Sequence, residues 1–112
     1  MHSEFLNYSP ALQQQLADLY RKTMSVDLLQ LSACVAAQDA SGVERLAHRI
    51  RGSAQGLFAK NLVATCTEME QQSGDKILDS LSGLMTQLLA QHEDFLVELT
   101  TYFTASSTDD IN

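Results

Sequence analysis

Among the side chains that could act as nucleophiles, acids, bases or metal ligands are three histidines and two cysteines. Helix geometry sorts the histidines. At about 100° per residue, with Val43 set at zero, Leu46, Ala47, Ile50, Ala54 and Leu57 fall within roughly 60° of one direction, the buried face. His48 lies about 140° from that direction, on the solvent side. On the last apolar-periodic stretch, with Leu81 at zero, His92 comes about 20° away, in line with Leu88, Phe95 and Leu99. His92 therefore reads as a core or boundary histidine with a hydrogen-bond partner. His2 sits near a terminus expected to be loose and has no assigned role. Only His48 is presented to a partner.

The neighbours of His48 give it a chemistry. Arg51, at i+3, can bring a guanidinium beside whatever the imidazole carries. Gly52, one turn on, costs about 1 kcal/mol relative to alanine in a helix interior, a cost that fits a need for close approach. Gly56 repeats the feature, and Gln55, at i+7, adds a possible polar contact. Arg45, Arg49, Arg51 and Lys60 place four of the seven cationic residues in a window of sixteen. An acidic chain thus carries one locally basic strip around His48. A neutral imidazole is nucleophilic, and an unperturbed pKa near 6.5 leaves it mostly neutral at pH 7. A phosphoryl group on it would bring close to two negative charges, which Arg51 could meet. Phosphoryl transfer needs in-line approach and charge stabilisation more than covalent machinery, and Gly52 would clear space for the second reactant. No GxxxxGK[ST] or other glycine-rich phosphate loop is present, so ATP binding and intrinsic kinase activity are not expected.

These residues require helices to position them. Ser9-Pro10 reads as an N-cap followed by proline at the first helical position. Leu12, Leu16, Leu19, Tyr20, Met24, Leu28, Leu31 and Val35 then recur at helical spacing. Asp39-Ala40-Ser41-Gly42 interrupts this helix, and a second one carries Val43 to Leu57. A junction at Phe58-Ala59 leads to a third with Leu62, Val63, Cys66 and Met69. Gln72-Ser73-Gly74-Asp75 is the next turn signal. The last helix is long, from Ile77 through Leu81, Leu84, Met85, Leu88, Phe95, Leu96 and Leu99 to Phe103. No strand alternation and no internal repeat is present. The expectation is an all-α, antiparallel up-down-up-down four-helix bundle over residues 9–105, with 1–8 and 106–112 loosely ordered. The outer helices are about twice as long as the inner pair. Either they overhang the bundle, where they could form a dimer surface, or the first breaks near Thr23 to Asp27.

Composition narrows the function further. The 112 residues suit one domain, and the net charge of −7 argues against general nucleic-acid binding. No apolar run reaches the length of a membrane span, and no secretory signal is visible. Two cysteines without close spacing read as reduced thiols in a cytoplasmic protein, Cys66 and Cys34 serving as small hydrophobes. Glu68 and Glu70 lie near each other with no histidine in range and read as a solvated face. A di-iron carboxylate enzyme would need Glu-x-x-His pairs on two helices, and there are none. No metal site and no cofactor is expected.

The run His48-Arg49-Ile50-Arg51-Gly52-Ser53-Ala54 resembles the signature of the histidine-containing phosphotransfer (HPt) domain family: His, any residue, an aliphatic, Lys or Arg, Gly, then two small residues. Leu57, Ala59, Leu62, Cys66 and Met69-Glu70 continue the likeness, which covers about residues 10–104. The resemblance implies a four-helix bundle with the phosphoacceptor, His48, on its second helix. It also implies a cytoplasmic phosphorelay intermediate that takes a phosphoryl group from a receiver-domain aspartate and passes it to another receiver. Partners would be response-regulator receiver domains and a hybrid sensor histidine kinase, with Mg²⁺ supplied by the receiver. Arg51 would stabilise phosphoryl charge, Gly52 would give clearance, and Arg45, Arg49 and Lys60 would face the partner. The chain departs from the family pattern at Arg51, where Lys is commoner, and at Phe58, where Gly often stands. An extra N-terminal helix of larger members would have only the eight residues before Ser9, room for at most a short turn. A non-catalytic helical module docking a partner through the His48 face is the alternative.

Overall fold

The computed structural model describes residues 1–111, with side chains described through Ala105. The helices are α1 (Ser3–Leu6), α2 (Pro10–Ala36), α3 (Ala40–Gly56), α4 (Lys60–Gly74) and α5 (Leu81–Ile111), with no strand among the described residues. The fold is all-α, as expected. Ser9 caps α2 by accepting from the Leu12 N–H, with Pro10 next to it, and Asp39 caps α3 by accepting from the Gly42 N–H. A Cβ on Gly42 would meet the Cys34 and Asp39 side chains, so any larger residue there would have to displace them.

Helices α2, α3 and α4 end alike. The amides of Gln38 and Asp39 donate back to the Val35 and Cys34 carbonyls; Phe58 and Ala59 do so to Gln55 and Ala54, and Lys76 and Ile77 to Ser73 and Gln72. This is the Schellman arrangement, which puts the residue after the cap in the left-handed region. Gln38, Phe58 and Lys76 hold φ of 54°, 59° and 59° there without being glycine. Phe58 thus adopts a conformation that glycine would favour.

Helices α2–α3, α3–α4, α4–α5 and α5–α2 pack as neighbours around one core. Tyr20, Met24, Leu28 and Leu31 of α2 meet Val43, Leu46, Ala47, Ile50 and Ala54 of α3, Leu62, Cys66 and Met69 of α4, and Leu81, Leu84, Leu88, Phe95 and Leu99 of α5. Several expectations are corrected. Helix α2 runs unbroken through Thr23 to Asp27, with Met24 buried inside that stretch and Tyr20 and Leu28 buried on either side. Leu12 and Leu19 point outward, and Gln13 and Ala17 take the buried positions of those turns. Ile77 lies before α5 and is exposed.

Residues 1–8, expected to be loose, pack against the bundle. Phe5 is fully buried, edge-on to Tyr8 and Tyr102. The buried Gln13 amide donates to the Phe5 and Tyr8 carbonyls at 3.0 and 3.1 Å, and the Tyr102 hydroxyl donates to Gln13 Oε1 at 2.8 Å. His2, given no role by the sequence, caps α1 by accepting from the Glu4 N–H and stacks its ring on Phe58. The long outer helices therefore overhang the inner pair at one end, and α1 covers the overhang. The molecule is correspondingly elongated, 54 × 19 × 18 Å. The loose segment expected at 106–112 lies outside the residues whose side chains are described.

Candidate functional site

Helix α3 turns Val43, Leu46, Ala47, Ile50 and Ala54 inward and leaves the His48 side chain 71% exposed, on the face that the helical angles assign to it. The ring is nevertheless engaged from one side. Arg51 Nη2 donates to His48 Nδ1 at 2.8 Å. Glu70 of α4 reaches the same nitrogen, its Oε1 at 2.9 Å, while its Oε2 lies 3.1 Å from Arg51 Nε. His48 Nε2 has no hydrogen-bond partner among the described residues. The side chain as a whole is exposed, and both charged neighbours contact its other ring nitrogen.

Glu70 is the residue that sequence reading missed. It is not on a solvated face: its side chain is only 16% exposed, inserted between α3 and α4. A histidine is in range after all: His48 stands across the helical hairpin on α3. The available signal was the short turn between α3 and α4, since two helices joined that way pack as neighbours and residues at similar distances from the turn come together. Glu68, by contrast, is exposed and accepts from Gln72 of its own helix.

The remaining cations are distributed differently from a single basic strip. Arg49 crosses to α2, with Nη2 3.2 Å from the buried Asp27 carboxylate and 3.2 Å from Gln30 Oε1. Arg51 is matched by Glu70. Arg45 stays exposed beside His48, where with Ser41, Glu44 and Glu70 it lines a shallow hollow. Gln55 is roughly 10 Å further along the axis at 1.5 Å per residue, and it lines an apolar hollow with Phe58, Lys60, Val63 and Ala64. Gln55 and Lys60 are therefore not gathered around the imidazole.

Gly52 and Gly56 are exposed, and a Cβ built on either would meet nothing within 4 Å. Packing within the chain does not require them. With Ser53, Leu57, Leu16, Leu19, Tyr20 and Thr23 they line a groove of about 300 Å³ between α2 and α3. Exposed Leu12, Leu19 and Val26 follow one another at seven-residue steps along the outer side of α2. The surface of α3 beyond His48 is thus apolar along the groove with α2 from Gly52 to Leu57, while beside His48 itself it carries the Arg49–Asp27 pair towards α2 and Glu70 towards α4.

The other titratable groups are structural. Burial pushes the Cys66 thiol up to about 12; the Glu70 carboxylate adds to the rise and the Arg51 guanidinium opposes it, leaving a protonated thiol at neutral pH. Cys34 is half-buried and free. His92 is half-buried, 3.0 Å from the Tyr20 hydroxyl, and burial lowers its pKa against the smaller upward pull of Glu93. Burial likewise raises the Tyr20 pKa. Among the described residues no three His, Cys, Asp or Glu converge as a metal site, and no helix is long and apolar enough to cross a membrane.

A family model described as Hpt domain matches residues 3–95. No curated protein and no solved structure matches the chain.

Proposed function

From the premise that this chain belongs to the Hpt domain family, a family of phosphotransfer modules without kinase activity that serve two-component phosphorelays, we propose that His48 is its phosphoacceptor. The observation that carries this reading is the outward imidazole with Nε2 unengaged and Nδ1 backed by Arg51 and Glu70. In the step proposed, the Nε2 lone pair attacks the phosphorus of an aspartyl phosphate on a receiver domain. The N–P bond forms as the P–O bond to the aspartyl carboxylate breaks, and that carboxylate leaves with the electron pair. For this step the ring proton stands on Nδ1, where the Glu70 carboxylate 2.9 Å away offsets the positive charge the ring gains, and Arg51 gives up its contact with that nitrogen. Arg51 is near enough to turn from the ring to the transferred phosphoryl oxygens. Return of the group to a second receiver reverses these events.

The helix pairings support an up-down-up-down bundle as the scaffold. Gly52 and Gly56, bare of any neighbour, support close approach by the partner, with the α2–α3 groove as its apolar seat and Arg45 at the rim. The partner is a response-regulator receiver domain, which brings its own Mg²⁺, or the receiver of a hybrid sensor kinase. Both belong in the cytoplasm. The test is transfer of label from a phosphorylated receiver to the purified domain and to its His48→Gln variant. Label is expected on the parent protein and absent from the variant at unchanged helicity; label persisting in the variant would overturn the assignment.

A further inference from the structure

Helix α2 is apolar on two opposite sides, and the bundle uses one of them. Gln13, Ala17, Tyr20, Met24, Leu28 and Leu31 face the core. On the outside, Leu12, Leu19, Val26 and Ala33 recur every seven residues, and Gln15, Lys22 and Leu29 each follow three residues after one of them. All seven are exposed, Leu19 by 61% and Leu29 by 74%. At about 100° per residue their mean direction is roughly 160° from that of the buried set, so the two faces stand back to back. A seven-residue repeat with mostly apolar a and d positions is the pattern by which one helix packs along another in a coiled coil. Among the described residues nothing covers this seam.

The charges identify the occupant. Apart from the buried Asp27, α2 carries only Asp18, Arg21 and Lys22, close together near the middle of the seam. With two residues of each sign, α2 is neutral in a chain of net charge −7, so two acidic chains can approach there. Asp18 accepts from Gln14 and lies 3.8 Å from Arg21 on its own helix, whereas Lys22 has no ion pair among the described residues. A parallel copy would set Lys22 against Lys22, like charge on like. An antiparallel copy, turned about a two-fold axis level with the Tyr20–Arg21 bond, sets a positions against d positions. Leu12 then meets Leu29 of the second copy, Gln15 meets Val26, and Leu19 meets Lys22. The Lys22 stem lies on that leucine, and its ammonium reaches Asp18 of the second copy. We infer that the outer face of α2 seats a second copy of this chain, as an antiparallel two-helix seam closed by reciprocal Lys22–Asp18 pairs. The layers from Leu12 to Leu29 span about 26 Å of helix at 1.5 Å per residue. A strip that narrow buries less than the roughly 1,200–2,000 Å² of a stable complex, so the dimer is a reversible one. Leu19 also lines the α2–α3 groove, so pairing occupies one edge of it. The inference does not depend on phosphotransfer, and its test uses none.

The experiment is sedimentation equilibrium of the full chain at rising concentration, up to about 1 mM, the weak end of specific association. The mean mass should climb from 12.3 kDa toward twice that value. Leu29→Glu, which sets a carboxylate against Leu12 in two layers, should stay monomeric throughout. Leu29 is exposed and lies outside the α2–α3 groove, so the variant keeps the fold, as an unchanged melting curve would verify. Lys22→Glu turns both ion pairs into repulsions and should weaken association about tenfold. Adding Asp18→Lys reverses both signs and should recover most of that loss. A parent chain that remains monomeric at about 1 mM overturns the inference and leaves the seam to a helix of another protein. A dimer that Leu29→Glu leaves intact also overturns it, because that dimer uses another face. A dimer indifferent to Lys22→Glu, or a double variant no tighter than Lys22→Glu alone, overturns the antiparallel pairing on which the choice of a second copy rests.

Discussion

Gly52 offers a test in which stability and function move in opposite directions. It lies inside α3, twelve residues after Ala40 and one turn before the helix ends at Gly56. An interior helical glycine costs about 0.8–1.0 kcal/mol relative to alanine, through backbone entropy. The usual offset, a clash of the new methyl with a neighbouring element, is absent, because nothing lies within 4 Å of the Cβ position. Gly52→Ala should therefore stabilise the domain by about 1 kcal/mol, raising its melting midpoint by roughly 4–6 °C at this size. Gly83, equally bare in the first turn of α5, is the control. If the empty space exists for a partner, a longer side chain at 52 must hold that partner off. A displacement of about 1 Å from the attack geometry is enough to cost on the order of 100-fold in rate. Gly52→Gln should then slow phosphotransfer from a receiver at least tenfold while leaving the fold as stable as the parent; Gly83→Ala should leave the rate unchanged. Melting curves and the time course of label transfer read both quantities on the same samples. Loss of stability in Gly52→Ala would refute the packing argument, and an undiminished rate in Gly52→Gln would refute the clearance role.

Lys76 occupies a left-handed position that costs an L-residue about 1–2 kcal/mol, and its side chain is exposed. Lys76→Gly should stabilise the domain by about 1 kcal/mol in a denaturant titration, whereas Phe58→Gly should not, because it forfeits the ring stacked on His2; equal gains at both would contradict this account. His92 has its pKa lowered by burial, so the unfolded chain binds the proton more readily. Its contribution is fully present above about pH 6.5, the ordinary histidine value, and declines as pH falls from there toward the lower folded value. His92→Gln should flatten that part of the stability-against-pH profile without preventing label transfer to His48; an unaltered slope would remove His92 from the acid response.

Much of the molecule is legible along single helices. The periodicity of α3 turns Ile50 inward and His48 outward whatever α3 packs against, because 3.6 residues per turn ties those two directions together. The same reasoning places His92 at the edge of the core, where Tyr20 meets it. Ser9, Pro10 and Asp39 mark helix starts because capping is settled within a few residues. Long helices with several neighbours have no single buried face, and on α2 Leu12 and Leu19 face out while Gln13 faces in. Gln13 is buried because three carbonyls and a tyrosine hydroxyl, supplied by α1, the segment after it and α5, satisfy its amide.

By itself, the sequence determined the helical class, the outward imidazole and the family signature from His48 to Ala54, since each depends on spacing within one segment. Tertiary structure decided what stands behind that imidazole. Glu70 reaches Nδ1 from α4, Asp27 draws Arg49 to α2, and Phe5 secures a terminus that looked loose. These are contacts across helices, and their register is set by how packed ridges and turn lengths align one helix against another. No periodicity within a single helix encodes that register.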